Sequence, residues 1–90
     1  MASKPAIEIK YCHECGYLPD AVTMADRLLR EFSHKVVGLT LTPGEYGTFE
    51  VKVDGDLIFS RLDAHRFPTL NELRDSIRAR VEAGTPGRAP

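Results

Sequence analysis

The stretch Ile7-Glu8-Ile9-Lys10-Tyr11-Cys12-His13-Glu14-Cys15-Gly16-Tyr17 decides how this chain is read. Ile7, Ile9 and Tyr11 alternate with Glu8 and Lys10, the period of two that a half-buried strand requires. Cys12 and Cys15 follow at once. Apolar residues then recur at Leu18, Val22, Ala25, Leu29 and Phe32, steps of four and three that lay one stripe along a helix. Asp26, Arg27, Arg30 and Glu31 fall mostly on the other side. Pro19 fits only the first helical turn, where its missing N–H has no partner to lose, so the helix begins close after Cys15. Two thiols three positions apart thus lie between a strand and a helix.

Further along, Val37, Leu39 and Leu41 alternate with Gly38, Thr40 and Thr42, predicting a second strand that Pro43-Gly44 stops as a turn. Phe49, Val51 and Val53 predict a third. Asp54-Gly55 is a favoured two-residue hairpin pair because both positions take positive φ, and Leu57 to Arg61 returns as the fourth strand, antiparallel to the third. Thr69 and Glu72 stand three apart before an apolar run and predict a capping box, each side chain accepting from an orphan N–H at the helix start. Leu70, Leu73, Ile77 and Val81 then supply the buried stripe. The order is β-α-β-β-β-α, an α/β chain with a four-stranded mixed sheet and two main helices. Its first three elements form a right-handed βαβ unit. Residues 1–83 are expected to make one domain and residues 84–90, with two prolines and two glycines counting Gly84, a disordered tail.

A chain of 90 residues builds one core. Its 42% apolar and 28% charged content is that of ordinary globular domains, which favours neither a disordered nor a membrane class. A formal net charge of -1 argues against a nucleic-acid partner, whose phosphates demand accumulated Lys and Arg. Arg74, Arg78 and Arg80 are expected on a solvated helix face. Met1 to Pro5 reads as neither a signal peptide nor a span, so a cytoplasmic location and no membrane contact are expected. Two cysteines this close cannot build the multi-bridge frame of a secreted mini-domain; in a reducing compartment the spacing points to redox or metal chemistry. A dithiol in the first βα loop of a mixed sheet is the arrangement of thioredoxin-like centres.

The spacing suits thiol exchange because both sulfurs reach bonding distance, which needs Cα atoms within about 7 Å. Only the thiolate attacks, and a free cysteine with its pKa near 8.5 is mostly idle at neutral pH, so oriented N–H groups at the helix start are expected to favour the anion. Protonated His13 would help and Glu14 would oppose. For zinc or iron–sulfur binding the remaining ligands are missing: His34 and His65 lie far away in sequence, so a metal would need a dimer or distant convergence. Two buried thiols that merely pack are the other alternative. Tyr11 and Tyr17 are expected mainly as core neighbours of the pair, and Phe49 and Phe59 as core.

Tyr11-Cys12-His13-Glu14-Cys15-Gly16-Tyr17, Phe32, Pro43-Gly44, Gly47-Thr48-Phe49-Glu50-Val51, Asp54-Gly55, Arg61 and Phe67-Pro68 together resemble, in order, the selenoprotein W family, also called Rdx proteins, in its cysteine-containing bacterial form. The resemblance runs from Ile7 to Val81. It implies a thioredoxin-like fold, a redox-active Cys12 and Cys15 as catalytic pair, and His13, Gly16, Tyr17, Gly47 and Thr48 as supporting residues. Relatives with selenium carry selenocysteine at the position of Cys15. Gly47 stands where thioredoxins proper place a cis-proline, so their substrate docking does not carry over unaltered. Thioredoxin logic names Cys12 as the attacking thiol and family logic names Cys15; Cys12 is expected to face bulk solvent. The implied function is thiol–disulfide exchange with glutathione or protein thiols by a possible oxidoreductase, with no cofactor, as a monomer or weak dimer. The rival is an interaction module switched by oxidation without turnover. No small-molecule pocket is implied. Arg61, His65, Arg66 and Phe67 form a polar and aromatic loop, expected to be solvated, with a place near the dithiol that helps select a partner as the alternative.

Overall fold

The computed structural model describes residues 4–84. Strand β1 (Ala6–Cys12) leads into helix α1 (Leu18–Phe32), followed by β2 (Gly38–Gly44), β3 (Phe49–Val53), β4 (Asp56–Ser60), the one-turn helix α2 (Arg61–Ala64) and helix α3 (Leu70–Gly84). The four strands form one mixed sheet in the order β2-β1-β3-β4, with β1 parallel to β2 and antiparallel to β3, and β3 antiparallel to β4. This is the thioredoxin-like α/β arrangement that the element order predicts. Gly84 closes α3 rather than opening a tail, and the rest of the expected tail lies outside the described residues. Among the described residues no helix is long and apolar enough to cross a membrane.

The alternation along β1 and β3 sorts the sheet's two faces. Ile7, Ile9, Tyr11, Phe49, Val51 and Val53 are buried and join the core with Ala21, Ala25, Leu28 and Phe32 of α1 and Leu73 and Ile77 of α3. Glu8, Lys10, Glu50 and Lys52 occupy the alternate positions and stay partly exposed, so the helices cover one face only. Asp54 (φ 53°) and Gly55 (φ 85°) form the hairpin turn that the sequence predicts. Asp54 also locks the turn to β1: its N–H donates to the Ala6 carbonyl (2.8 Å) and its carboxylate accepts from the Ala6 N–H (2.9 Å).

Several expectations need correction. The buried stripe of α1 is Ala21, Ala25, Leu28 and Phe32, while Leu18 and Val22 are exposed and Leu29 is half-buried. Both stripes obey the same spacing and share Ala25 and Phe32; the rotation puts the small Ala21 against the sheet, where it lets the helix approach. Val37 is 70% exposed and precedes the strand, with Val36 buried instead. Pro43 and Gly44 do not stop β2 but extend it, in register with Tyr11 and Cys12. An edge strand tolerates proline, because the missing N–H faces no partner strand. Arg61 does not belong to β4. It opens α2, whose N-cap Ser60 hydroxyl accepts from the Asp63 N–H at 3.4 Å. Nor are the α3 arginines simply solvated: Arg74 and Arg78 each lie 2.7 Å from the Glu31 carboxylate of α1, and Arg80 pairs with Asp56 at 2.9 Å.

The capping box forms as its spacing predicts. The Glu72 carboxylate accepts from the Thr69 N–H (2.6 Å), and the Thr69 hydroxyl accepts from the Glu72 N–H (3.2 Å). Arg66 adds two hydrogen bonds to Glu72 (2.6 and 2.9 Å). The Arg66 guanidinium first, and then the Thr69 amide, hold the Glu72 carboxyl down from 4.5 to about 2. A depressed carboxyl stabilises the fold fully above its unfolded pKa and loses that contribution as pH falls through the folded one. Glu72→Gln is therefore expected to lower the melting temperature at pH 7 and to flatten the loss of stability between pH 4.5 and 2. Solvent screening of this partly exposed pair keeps the effect to about 1 kcal/mol or less, a few degrees. Melts of both proteins across that range check it, and parallel pH curves would contradict it.

Candidate active site

The end of β1 delivers Cys12 to the rim of the sheet, and the chain then turns back on itself before α1. The Gly16 N–H donates to the His13 carbonyl (3.1 Å) and the Tyr17 N–H to the Cys12 carbonyl (3.3 Å), which folds residues 12–17 into a tight loop. Within it Cys12 and Cys15 are joined as a disulfide, their Cα atoms 5.3 Å apart. The Cys15 N–H donates to the Cys12 sulfur at 3.1 Å. Across the site, the Gly47 N–H donates to the Cys15 sulfur at 3.2 Å. Each sulfur therefore already receives one backbone amide, a donor that strengthens when the acceptor carries charge.

The β2–β3 loop that carries Gly47 is fixed from three directions. The Thr48 N–H donates to the Glu45 carbonyl (3.1 Å), the Thr48 carbonyl accepts from the Cys12 N–H (2.8 Å), and the Gly47 carbonyl accepts from Arg61 Nη1 (3.4 Å). Gly47 sits at φ 80°, a conformation that side-chain-bearing residues rarely adopt, and it is this backbone setting that aims its amide at the sulfur. No cis peptide occurs among the described residues. Thr48 is buried beside it.

The structure thus brings Cys12, Cys15, Gly16, Tyr17, Gly47 and Thr48 together through backbone contacts. His13 shares the loop but is exposed, as is Glu14. The expectation about solvent is reversed: Cys12 is 1% exposed, whereas Cys15 is partly open. Cys12 is sealed because it is the last residue of a central strand, paired with Gly44 on one side and bonded to Thr48 on the other. The amides on the sulfurs also come from a different source than expected. Helix α1 starts only at Leu18, and the donors are the Cys15 amide within the loop and Gly47 across it.

The sequence places Arg61 and Phe67 in a loop expected either to be solvated or to lie near the dithiol. Here the Arg61 guanidinium lies 5.3 Å from the ring centres of both Tyr17 and Phe67, and those rings meet edge to face at 4.8 Å. Phe67 in turn packs on Phe49 at 5.2 Å, which ties this aromatic cluster to the core. The signal available in the sequence was Ser60-x-x-Asp63, a capping pattern that starts α2 and turns Arg61 inward. Phe67 also walls a cleft of about 280 Å³ against Met24, Phe49, Pro68 and Leu70, which no motif announced. Among the described residues no three His, Cys, Asp or Glu side chains converge as metal ligands.

Fold and bonded pair together define a thioredoxin-like protein with a dithiol/disulfide centre. The model of the Rdx family matches residues 6–79, and the chain belongs to that family. Migration and invasion enhancer 1 of Mus musculus is 31% identical over 80 residues, which cover 89% of this chain and 67% of that protein. Its Bos taurus counterpart is 30% identical over the same shares. Among solved structures, a selenoprotein W-related protein from Vibrio cholerae superposes with a TM-score of 0.84 at 29% identity, covering 88% of this chain and 99% of that one. A protein from Bordetella parapertussis does so with a TM-score of 0.83 at 31% identity, covering 87% and 99%. Family and disulfide fit a redox function.

Proposed function

We propose that this protein is a cytoplasmic thiol–disulfide redox protein that exchanges with glutathione or with a cysteine of a protein partner, and that Cys15 is the sulfur an outside molecule meets. One observation carries the reading: the pair is bonded, and of its two sulfurs the one held by Gly47 belongs to the partly open residue while the other is sealed. In the reduced protein the Cys15 thiolate attacks a substrate disulfide R–S–S–R′. A Cys15–R mixed disulfide forms and R′S⁻ leaves, taking a proton from solvent. Cys12, deprotonated in turn, attacks the Cys15 sulfur, restores the internal disulfide and expels RS⁻. Two electrons and two protons pass from dithiol to substrate, and two external thiols reset the pair. Two cysteines are too few for the multi-bridge frame of a small secreted domain, which supports the cytoplasmic reading, and the near-neutral charge supports thiol rather than nucleic-acid partners.

The second reading is a partner-binding module that the disulfide switches. It is favoured by Tyr46 and Leu62, 78% and 50% exposed, which border the site; a Cβ placed on Gly47 would lie 3.5 Å from Leu62. Turnover separates the two. The protein is expected to catalyse reduction of a small mixed disulfide by glutathione, followed as NADPH consumption by glutathione reductase, in proportion to protein added. A background rate, combined with partner capture that depends on oxidation state, would overturn the first reading in favour of the second.

A further inference from the structure

Five arginines on the helices and the α2–α3 connection have a carboxylate partner: Arg30 with Asp26, Arg66 with Glu72, Arg74 and Arg78 with Glu31, and Arg80 with Asp56. Arg61 differs. It is half-buried and forms no ion pair with any carboxylate among the described residues. Its Nε is buried without a hydrogen-bond partner among the described residues, its guanidinium lies near two ring faces, and its Nη1 donates to the Gly47 carbonyl. A half-buried cation without a counter-ion is costly to keep, and ring contacts return only part of that cost. A negative charge forming close by would offset that cost.

The backbone of one residue separates this cation from the Cys15 sulfur, since the Gly47 carbonyl accepts from Arg61 and the Gly47 N–H donates to the sulfur. We propose that Arg61 is the positioning residue of the reduced site, holding Gly47 so that its amide meets the Cys15 thiolate and supplying the positive charge that the thiolate faces when its proton leaves to solvent. In the disulfide form that charge waits with only Tyr17, Phe67 and a carbonyl around it. This rests on Cys15 being the outward sulfur in thiol exchange.

The other ionisable groups around the pair do not take that place. His13 and Glu14 on the loop and Asp20 in the first turn of α1 are exposed. Glu45 on the β2–β3 loop pairs with Lys10 at 3.7 Å, and Arg66 beyond α2 is committed to Glu72. Asp63 and His65, also on that side, are exposed, as is Tyr46.

The test uses Cys12→Ser as background, so that a single thiol titrates, and reads thiolate absorbance and alkylation rate against pH. Adding Arg61→Gln is expected to lower the alkylation rate of Cys15 at neutral pH by about tenfold, the equivalent of one pKa unit, while the folded state persists in circular dichroism. Arg61→Lys keeps the charge but loses the flat guanidinium, and is expected to recover part of the rate. In the protein with both cysteines, Arg61→Gln is expected to shift the glutathione redox equilibrium toward the disulfide. An unchanged thiol titration in folded Arg61→Gln would overturn the proposal. So would equal loss in the Lys and Gln variants accompanied by unfolding, because that marks a purely structural residue. These readouts need no turnover, so they stand or fall separately from the catalytic assay.

Discussion

A chain carrying Cys15→Ser is expected to lose disulfide exchange down to the uncatalysed level, while Cys12→Ser still reacts once and stops as a mixed disulfide. The asymmetry follows from burial. Cys12 is 1% exposed, paired into the central strand and covered by the Thr48 backbone, so a glutathione molecule or a protein disulfide cannot line up with its sulfur without opening the sheet rim. Cys15 sits on the loop, partly open, with the Gly47 amide ready to stabilise its anion. Without Cys12 there is no internal thiol to expel the bound partner, and release waits for a second external thiol. Intact-mass spectrometry after incubation with glutathione disulfide checks both variants. An adduct that accumulates on the Cys15→Ser protein but not on Cys12→Ser would reverse the assignment of roles.

The largest loss of stability is expected from Phe49→Ala. Phe49 is 1% exposed, sits in the core with residues of both long helices, and makes an edge-to-face contact with Phe67, which itself meets Tyr17 edge to face beside the disulfide. Removing a buried phenyl ring costs about 3–5 kcal/mol through lost transfer energy and the cavity left behind. Small domains hold only about 5–15 kcal/mol in total, so the variant should melt some 15 °C or more below the parent. Phe67→Ala, which removes a more exposed ring, should cost clearly less. Calorimetry of the two variants tests the order; equal midpoints would show that the ring cluster, rather than the core, governs stability there.

What could be read from the residues was whatever has a period or a fixed turn chemistry. Ile7, Ile9 and Tyr11 announce β1, Asp54-Gly55 announces the hairpin, and Thr69 with Glu72 announces α3; all form as written. The phase of α1 was harder, because Leu18-Val22-Ala25 and Ala21-Ala25-Leu28 both satisfy a helical spacing and only the sheet's surface decides between them. The existence of the pair was legible in Cys12-x-x-Cys15, but not which sulfur faces outward. That depends on Thr48 and Gly47, more than thirty residues downstream, closing over one cysteine and offering an amide to the other. Arg61 was legible only as part of a loop either solvated or near the dithiol, because its setting needs Tyr17, Gly47 and Phe67 from three separate segments.

Pro43 lies in the outer strand β2, and Ile58, left unopposed where the β3–β4 register shifts between Val51 and Lys52, lies in the outer strand β4. An outer strand with regular, unbroken hydrogen-bonding groups is a template for chain-to-chain growth into fibrils. A missing donor on one border and a kink on the other deny that template on both sides. The fold can therefore leave one broad side of its sheet bare of helices and still resist lateral stacking into aggregates.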